Sequence, residues 1–242
     1  MNQALQHANE AVRAKVGHLH DRYEEVKPKL RGWLHLGTTP LVLAAGIVLI
    51  ALSPTATTRI GSTLYAVSAM LLFGVSAIYH RGTWSPRVWL FLKRFDHSNI
   101  FLLIAGSYTP FSLILLDGWE RITLLSVVWG GALSGIALKV LWPHHPRGLS
   151  APIYIALGWA AVFFIPQFLD GALALGVGIG VAVFVLICVG GALYTFGGLV
   201  YGLKWPDPSP RWFGFHEVFH SFTILAFAAH YVGVSLATYS LR

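Results

Sequence analysis

Apolar residues in this chain fall in long runs, without the period-two alternation of strands. A membrane-spanning helix needs about 20 predominantly apolar residues. Seven stretches predict one: Leu36–Leu52, Ile60–Tyr79, His97–Leu116, Ile122–Leu141, Ala151–Leu169, Ala172–Leu193 and Phe215–Tyr239. The first is the shortest. The sixth lies in an uncharged run from Gly171 to Leu203 that is longer than one span requires. Its glycine pairs, Gly190–Gly191 and Gly197–Gly198, fit close helix packing, a kink or the exit from the membrane. Gly130, Gly131, Ser134 and Gly135 have the small-residue spacing of a helix contact. Without strand alternation a β-barrel is disfavoured. The expected fold is an all-α integral membrane protein, a seven-transmembrane helix bundle over residues 36–242.

Composition agrees. Of 242 residues, 55% are hydrophobic and 11% are charged, and the mean hydropathy is +0.64. Soluble domains carry about 25% charged residues, so this chain lacks the polar surface of one. A disordered chain, a soluble dehydrogenase or kinase and a secreted disulfide scaffold are excluded. The single cysteine, Cys188, has no internal partner and reads as a small core residue. Residues 1–35 are of mixed charge and have no apolar segment after a short basic start, so they predict an amphipathic surface helix ending near Pro28 rather than a cleavable signal.

The net charge of +7 is explained by topology. Counted by loop, fourteen Lys and Arg fall on one side, and only Arg59, Arg121 and Arg242 on the other. Basic loops stay inside, which predicts a cytoplasmic N-terminus and an outside C-terminus. The inside charges are spread over four segments, so no nucleic-acid partner is expected.

Ionisable groups within spans are costly and mark functional sites. His80 closes the second span with Ser76 one turn before it; Asp96 opens the third; His216 and His220 open the seventh. The topology puts all of these at one depth on the cytoplasmic side. His216 and His220, at i and i+4, share a helix face with Cβ atoms about 6 Å apart, a spacing that grips one metal. His80 supplies a third imidazole, and three protein ligands leave the fourth tetrahedral position open, the pattern of a catalytic zinc. Asp96 is then hydrogen-bond partner or base for a water, and Ser76, four residues before His80, orients an imidazole or a substrate carbonyl. His216-Glu217-Val218-Phe219-His220 also matches the HExxH pattern, in which Glu217 would be a general base; alternatively Glu217 projects toward the inside interface. His35, at the same inside depth, reads as interfacial packing, with a hydrogen bond near the site as the alternative; His97 reads as pointing away from the site, His144 and His145 as solvated loop residues, and His230 as a bundle histidine too deep to share the metal.

At these residues the chain resembles the hemolysin III branch of the progestin and adipoQ receptor (PAQR) family. Ser76-Ala77-Ile78-Tyr79-His80, Phe95-Asp96-His97-Ser98-Asn99-Ile100 continuing to Gly106-Ser107-Tyr108-Thr109-Pro110, and His216 to His220 with His230 beyond carry the resemblance. It implies a seven-helix bundle with zinc near its cytoplasmic end, held by His80, His216 and His220, with Asp96 holding a water, Ser76 as the site serine and His230 outside the ligand set. The wider group of similar membrane hydrolases includes alkaline ceramidases, which implies cleavage of an amide-linked lipid. One motif departs from the pattern. Family members often carry Glu and Asn ahead of a histidine before the first span, and here Pro28 and Arg31 stand at those places before His35.

The leading expectation is a zinc-dependent hydrolase of the cell membrane, acting on an amide or ester bond of a lipid that enters laterally from the inner leaflet. The alternatives are a non-catalytic sensor or regulator with a structural zinc, a pore-forming hemolysin responsible for cytolysis, and an intramembrane metalloprotease built on HExxH. The pore is disfavoured because no span carries a polar stripe.

Overall fold

The structure, a computed structural model, describes residues 27–142 and 147–242. Most of the expected N-terminal surface helix and the pair His144–His145 lie outside the described residues. The helices are α1 (Trp33–Ala51), α2 (Ala56–Arg81), α3 (Pro86–Leu115), α4 (Gly118–Leu141), α5 (Arg147–Gly158), α6 (Ile165–Leu173), α7 (Val177–Leu203) and α8 (Phe215–Tyr239). A 3₁₀ turn, Ala160–Phe164, joins α5 to α6. Among the described residues, seven segments are long and apolar enough to cross a membrane, with α5, the 3₁₀ turn and α6 together forming the fifth, Leu149–Leu173.

Local signals set the helix ends. Thr55 and Thr58 bond reciprocally across the first turn of α2. Pro86 stands in the first turn of α3, where its missing N–H costs nothing. Two spans differ by five residues or more from those read off hydropathy. The third helix begins at Pro86 rather than His97, because the charged turn holding Arg87, Lys93 and Arg94 lowers hydropathy without breaking the hydrogen-bond ladder. The sixth spanning helix is Val177–Leu203 rather than Ala172–Leu193: Gly176, at φ +101°, makes the turn, and Ala172 belongs to α6.

The fifth span is broken at membrane depth, where backbone groups need protein partners. Tyr108 of α3 supplies them, its hydroxyl donating to the Gly158 carbonyl (2.5 Å) and accepting from the Ala161 N–H (3.0 Å).

Helices α2, α3 and α8 form the middle of the bundle, and their windows are the most enclosed of the seven spans. Gly106 lets α3 lie against α2, since a Cβ there would stand 2.0 Å from Ser68 Oγ. Gly131 and Gly135 of α4 receive Leu157 and Phe101, as their spacing predicts, whereas Gly130 faces open space. On α7, Gly190, Gly197 and Gly198 pack on His230, Phe222 and Ile155, so three of the four paired glycines serve close packing, whereas Gly191 faces open space. Outward faces are apolar: Leu41, Ile122, Phe163 and Val177 are all exposed, as a surface bathed in hydrocarbon requires. Cys188 is among the exposed residues and is not in the core, because α7 is a peripheral helix.

Candidate metal centre

The last turns of α2, the third turn of α3 and the first turns of α8 meet at one end of the bundle. Their side chains form a buried cluster: Ser76, His80, Asp96, His216 and His220 are each no more than 8% exposed. His80 Nε2 and His216 Nε2 are 3.2 Å apart, and one ring nitrogen from each of His80, His216 and His220 lies within 4.8 Å of the others. Two nitrogens on a tetrahedral zinc, at about 2.0–2.1 Å from it, stand about 3.3 Å apart. The His80–His216 pair already has that separation. The donor set therefore fits a borderline-soft divalent ion such as zinc.

Asp96 Oδ2 is 3.8 Å from His80 Nε2, and Ser76 faces the same carboxylate without a hydroxyl hydrogen bond of good geometry. Ser76 and Asp96, with His216 and His220, line a chamber of about 20 Å³, room for about one water. The sequence-derived set is thus brought together whole. Residues it missed complete the walls. His97 lines the chamber rather than pointing away, with Tyr201 Oη 3.4 Å from its Nε2. Tyr201 escaped notice because hydropathy ended the sixth span at Leu193.

Glu217, the middle of the HExxH pattern, faces neither the chamber nor the interface. It is fully buried, pairs with the Arg31 guanidinium and accepts from the Gly214 N–H (2.8 Å), capping α8. Both carboxylate oxygens are engaged. His35 is a chamber wall and not interfacial packing: it is 2% exposed and stacks on His220 at 3.7 Å between centroids, 12° from parallel. Arg31 and His35 lie at i and i+4, but neither residue's partner is encoded in that spacing.

A second cavity, of about 480 Å³, shares Leu72, Ile100, Tyr201, Phe219 and Thr223 with the chamber. That volume is typical of a small-molecule site. Its walls come from α3, the broken fifth span, α7 and α8, and are predominantly apolar. Trp159, Cys188 and Phe196 line it and are also exposed, so it opens on the flank of the bundle. His230 sits in its wall, ten residues and about 15 Å along α8 from His220, with Nε2 3.3 Å from the Ile187 carbonyl.

Seven apolar spans around an enclosed three-histidine cluster define a multi-pass integral membrane protein with a candidate metal centre inside its bundle. The chain belongs to the haemolysin-III-related family, whose model matches residues 23–231. It is 35% identical to Hemolysin-3 of Bacillus cereus over 147 residues, 61% of this chain and 64% of that protein. It is 33% identical to the Hemolysin-3 homolog of Bacillus subtilis over 167 residues, 69% and 72% of the two chains. The match to Progestin and adipoQ receptor-like protein 1 of Caenorhabditis elegans is 24% over 190 residues, 72% of this chain and 42% of that one. The match therefore spans just under two thirds of the first of these relatives.

Proposed function

We propose that the protein is a zinc-dependent hydrolase of a membrane lipid, cleaving an amide or ester bond at the cytoplasmic end of the bundle. The observation that carries this reading is the water-sized chamber, with imidazoles, a carboxylate and a hydroxyl in its walls, lying next to a larger apolar cavity that opens on the bundle flank. A chain embedded in a bilayer meets lipid there, and an acyl chain fills such a cavity while its linkage reaches Asp96.

His80, His216 and His220 are the residues that hold the ion. Zinc in such a site supplies Lewis acidity, polarising a carbonyl and lowering the pKa of water to about 7. Asp96 accepts a proton from the attacking water and returns it to the leaving amine or alcohol, so the carboxylate ends each cycle as it began. Ser76 donates to the carbonyl oxygen as charge develops on it. The apolar walls exclude competing solvent. Glu217 is withheld from proton transfer by Arg31 and the Gly214 N–H, which removes the base that a metalloprotease reading needs.

A structural zinc in a sensor is the second reading, favoured by ligands 136 residues apart on α2 and α8, a placement that ties the two helices together. One experiment separates the two. Detergent-purified protein is assayed for metal by elemental mass spectrometry and for turnover on a mixed-lipid panel, beside Asp96→Asn and a His216→Ala/His220→Ala double variant. The hydrolase predicts about one zinc per chain, lost in the double variant, and lipid turnover that Asp96→Asn abolishes while keeping the zinc. Bound zinc without turnover favours the sensor; a wild type without metal overturns both.

A further inference from the structure

The five residues ahead of and opening α1 meet the metal centre at three places, Glu217, His80 and His220. Arg31 pairs with Glu217, between His216 and His220 in sequence. Gly32 lies against His80: a Cβ at this position, where φ is +82°, would stand 2.7 Å from His80 Cβ. His35 covers the face of His220. Arg31 and His35 are four residues apart, Glu217 and His220 three, so the two contacts join one turn of each segment. The strand of chain leading in is itself fastened. Lys29 N–H donates to the Arg211 carbonyl (3.0 Å), Leu30 N–H to the Trp212 carbonyl (3.2 Å), and Lys29 Nζ lies 4.3 Å over the Trp212 ring. On the other flank Arg81 lies 4.2 Å over Trp33.

We infer that Arg31–His35 is a positioning collar for the metal ligands: Arg31 anchors the first turns of α8 through Glu217, and His35 holds the His220 ring in the plane that presents its nitrogen to the ion. This rests on the metal-site reading above. Both nitrogens of His35 are buried without a hydrogen-bond partner. Its contacts are through its faces and edges, against His220 and, edge-on at 4.9 Å, Phe73. A ring that works through its face is replaceable by another flat ring, whereas one that works through a nitrogen is not. Groups that orient metal ligands from outside the ligand set typically govern affinity by about 10–100-fold, and the collar acts in that position.

The test is zinc affinity by chelator competition on detergent-purified protein, with thermal unfolding of the same samples. His35→Phe keeps the plate and removes two unpaired nitrogens; it binds zinc within about threefold of wild type and unfolds no earlier. His35→Ala lets His220 rotate and weakens zinc about 10–100-fold, with an unchanged 1:1 stoichiometry at saturation. If His35→Phe loses as much affinity as His35→Ala, a nitrogen of His35 is at work and the collar is overturned. If neither loses affinity, the ring does not position His220 and the collar is equally overturned. Should His35→Ala fail to fold, His35→Leu, which fills the space without a flat face, takes its place with the same two outcomes. A wild type that binds no zinc defeats the metal-site reading, and is thereby distinguished from a failure of the collar alone.

Discussion

Glu217 shows how strongly neighbours decide what a side chain does. In HExxH it occupies the position of a general base, yet in the fold it is an N-terminal cap of α8 and one half of a buried ion pair. Removing one partner of such a pair leaves an uncompensated buried charge, at a cost of about 3–5 kcal/mol. Glu217→Gln therefore lowers thermal stability by that order and, by releasing the Arg31 anchor, weakens zinc binding without changing the stoichiometry at saturation; adding Arg31→Met restores most of the lost stability. A Glu217→Gln variant that unfolds like wild type yet loses all turnover would instead return Glu217 to the role of base. His35 makes the same point without charge. As a lone histidine at the edge of an apolar run it was indistinguishable from an interfacial residue, because its stacking partner lies 185 positions away.

At the scale of the element, helix ends and helix contacts were unequally legible. Proline, threonine and glycine mark several ends locally, but hydropathy placed the start of α3 and both ends of α7 inaccurately, since a helix continues wherever its backbone bonds continue, charged turn or not. The three basic residues at the end opposite the cluster turn out to be capping groups. Arg59 reaches the Ser53 carbonyl just past α1, and Arg121 and Arg242 reach the carbonyls of Leu116 and Leu52, which end α3 and α1. The α7–α8 contact depends on Gly190, where a Cβ would lie 2.1 Å from His230 Cδ2. Gly190→Ala overpacks this seam at a cost of about 1–3 kcal/mol. A Gly190→Ala/His230→Ala double variant is less destabilised than the two single losses summed, which a thermal-unfolding cycle measures.

For the whole molecule, the arrangement of helices turns a pattern of costs into a site. The three helices carrying polar groups are the central ones, so the buried cluster is shielded by α1, α4, the broken fifth span and α7. The apolar cavity is walled by the interrupted fifth span together with α3, α7 and α8. Gly191 lines this cavity, and a Cβ there meets nothing within 4 Å. Gly191→Phe fills part of the space at little cost in packing; on the lipid-hydrolase reading it retains one zinc per chain and loses most turnover of long-chain substrates. Short-chain analogues of the same linkage, which do not need the cavity, retain theirs. Equal loss on both would show that the cavity does not receive the acyl chain.

The class of fold and the membership of the cluster were legible in the order of residues alone. Seven runs of helix-spanning length are a direct consequence of the hydrocarbon thickness a chain must cross, and ionisable residues inside them are rare enough to stand out. His80, Asp96, His216 and His220 were therefore visible from position and spacing, with Ser76 one turn away. What Arg31, His35, His97, Glu217 and Tyr201 touch emerged with the packing of the helices. Each is defined by a partner on another segment, and no periodicity along one helix encodes which face of a distant helix it will meet. The same holds for the cavity: an apolar residue that packs and one that lines a void read identically in sequence, and they differ only in what the neighbouring helices leave unfilled.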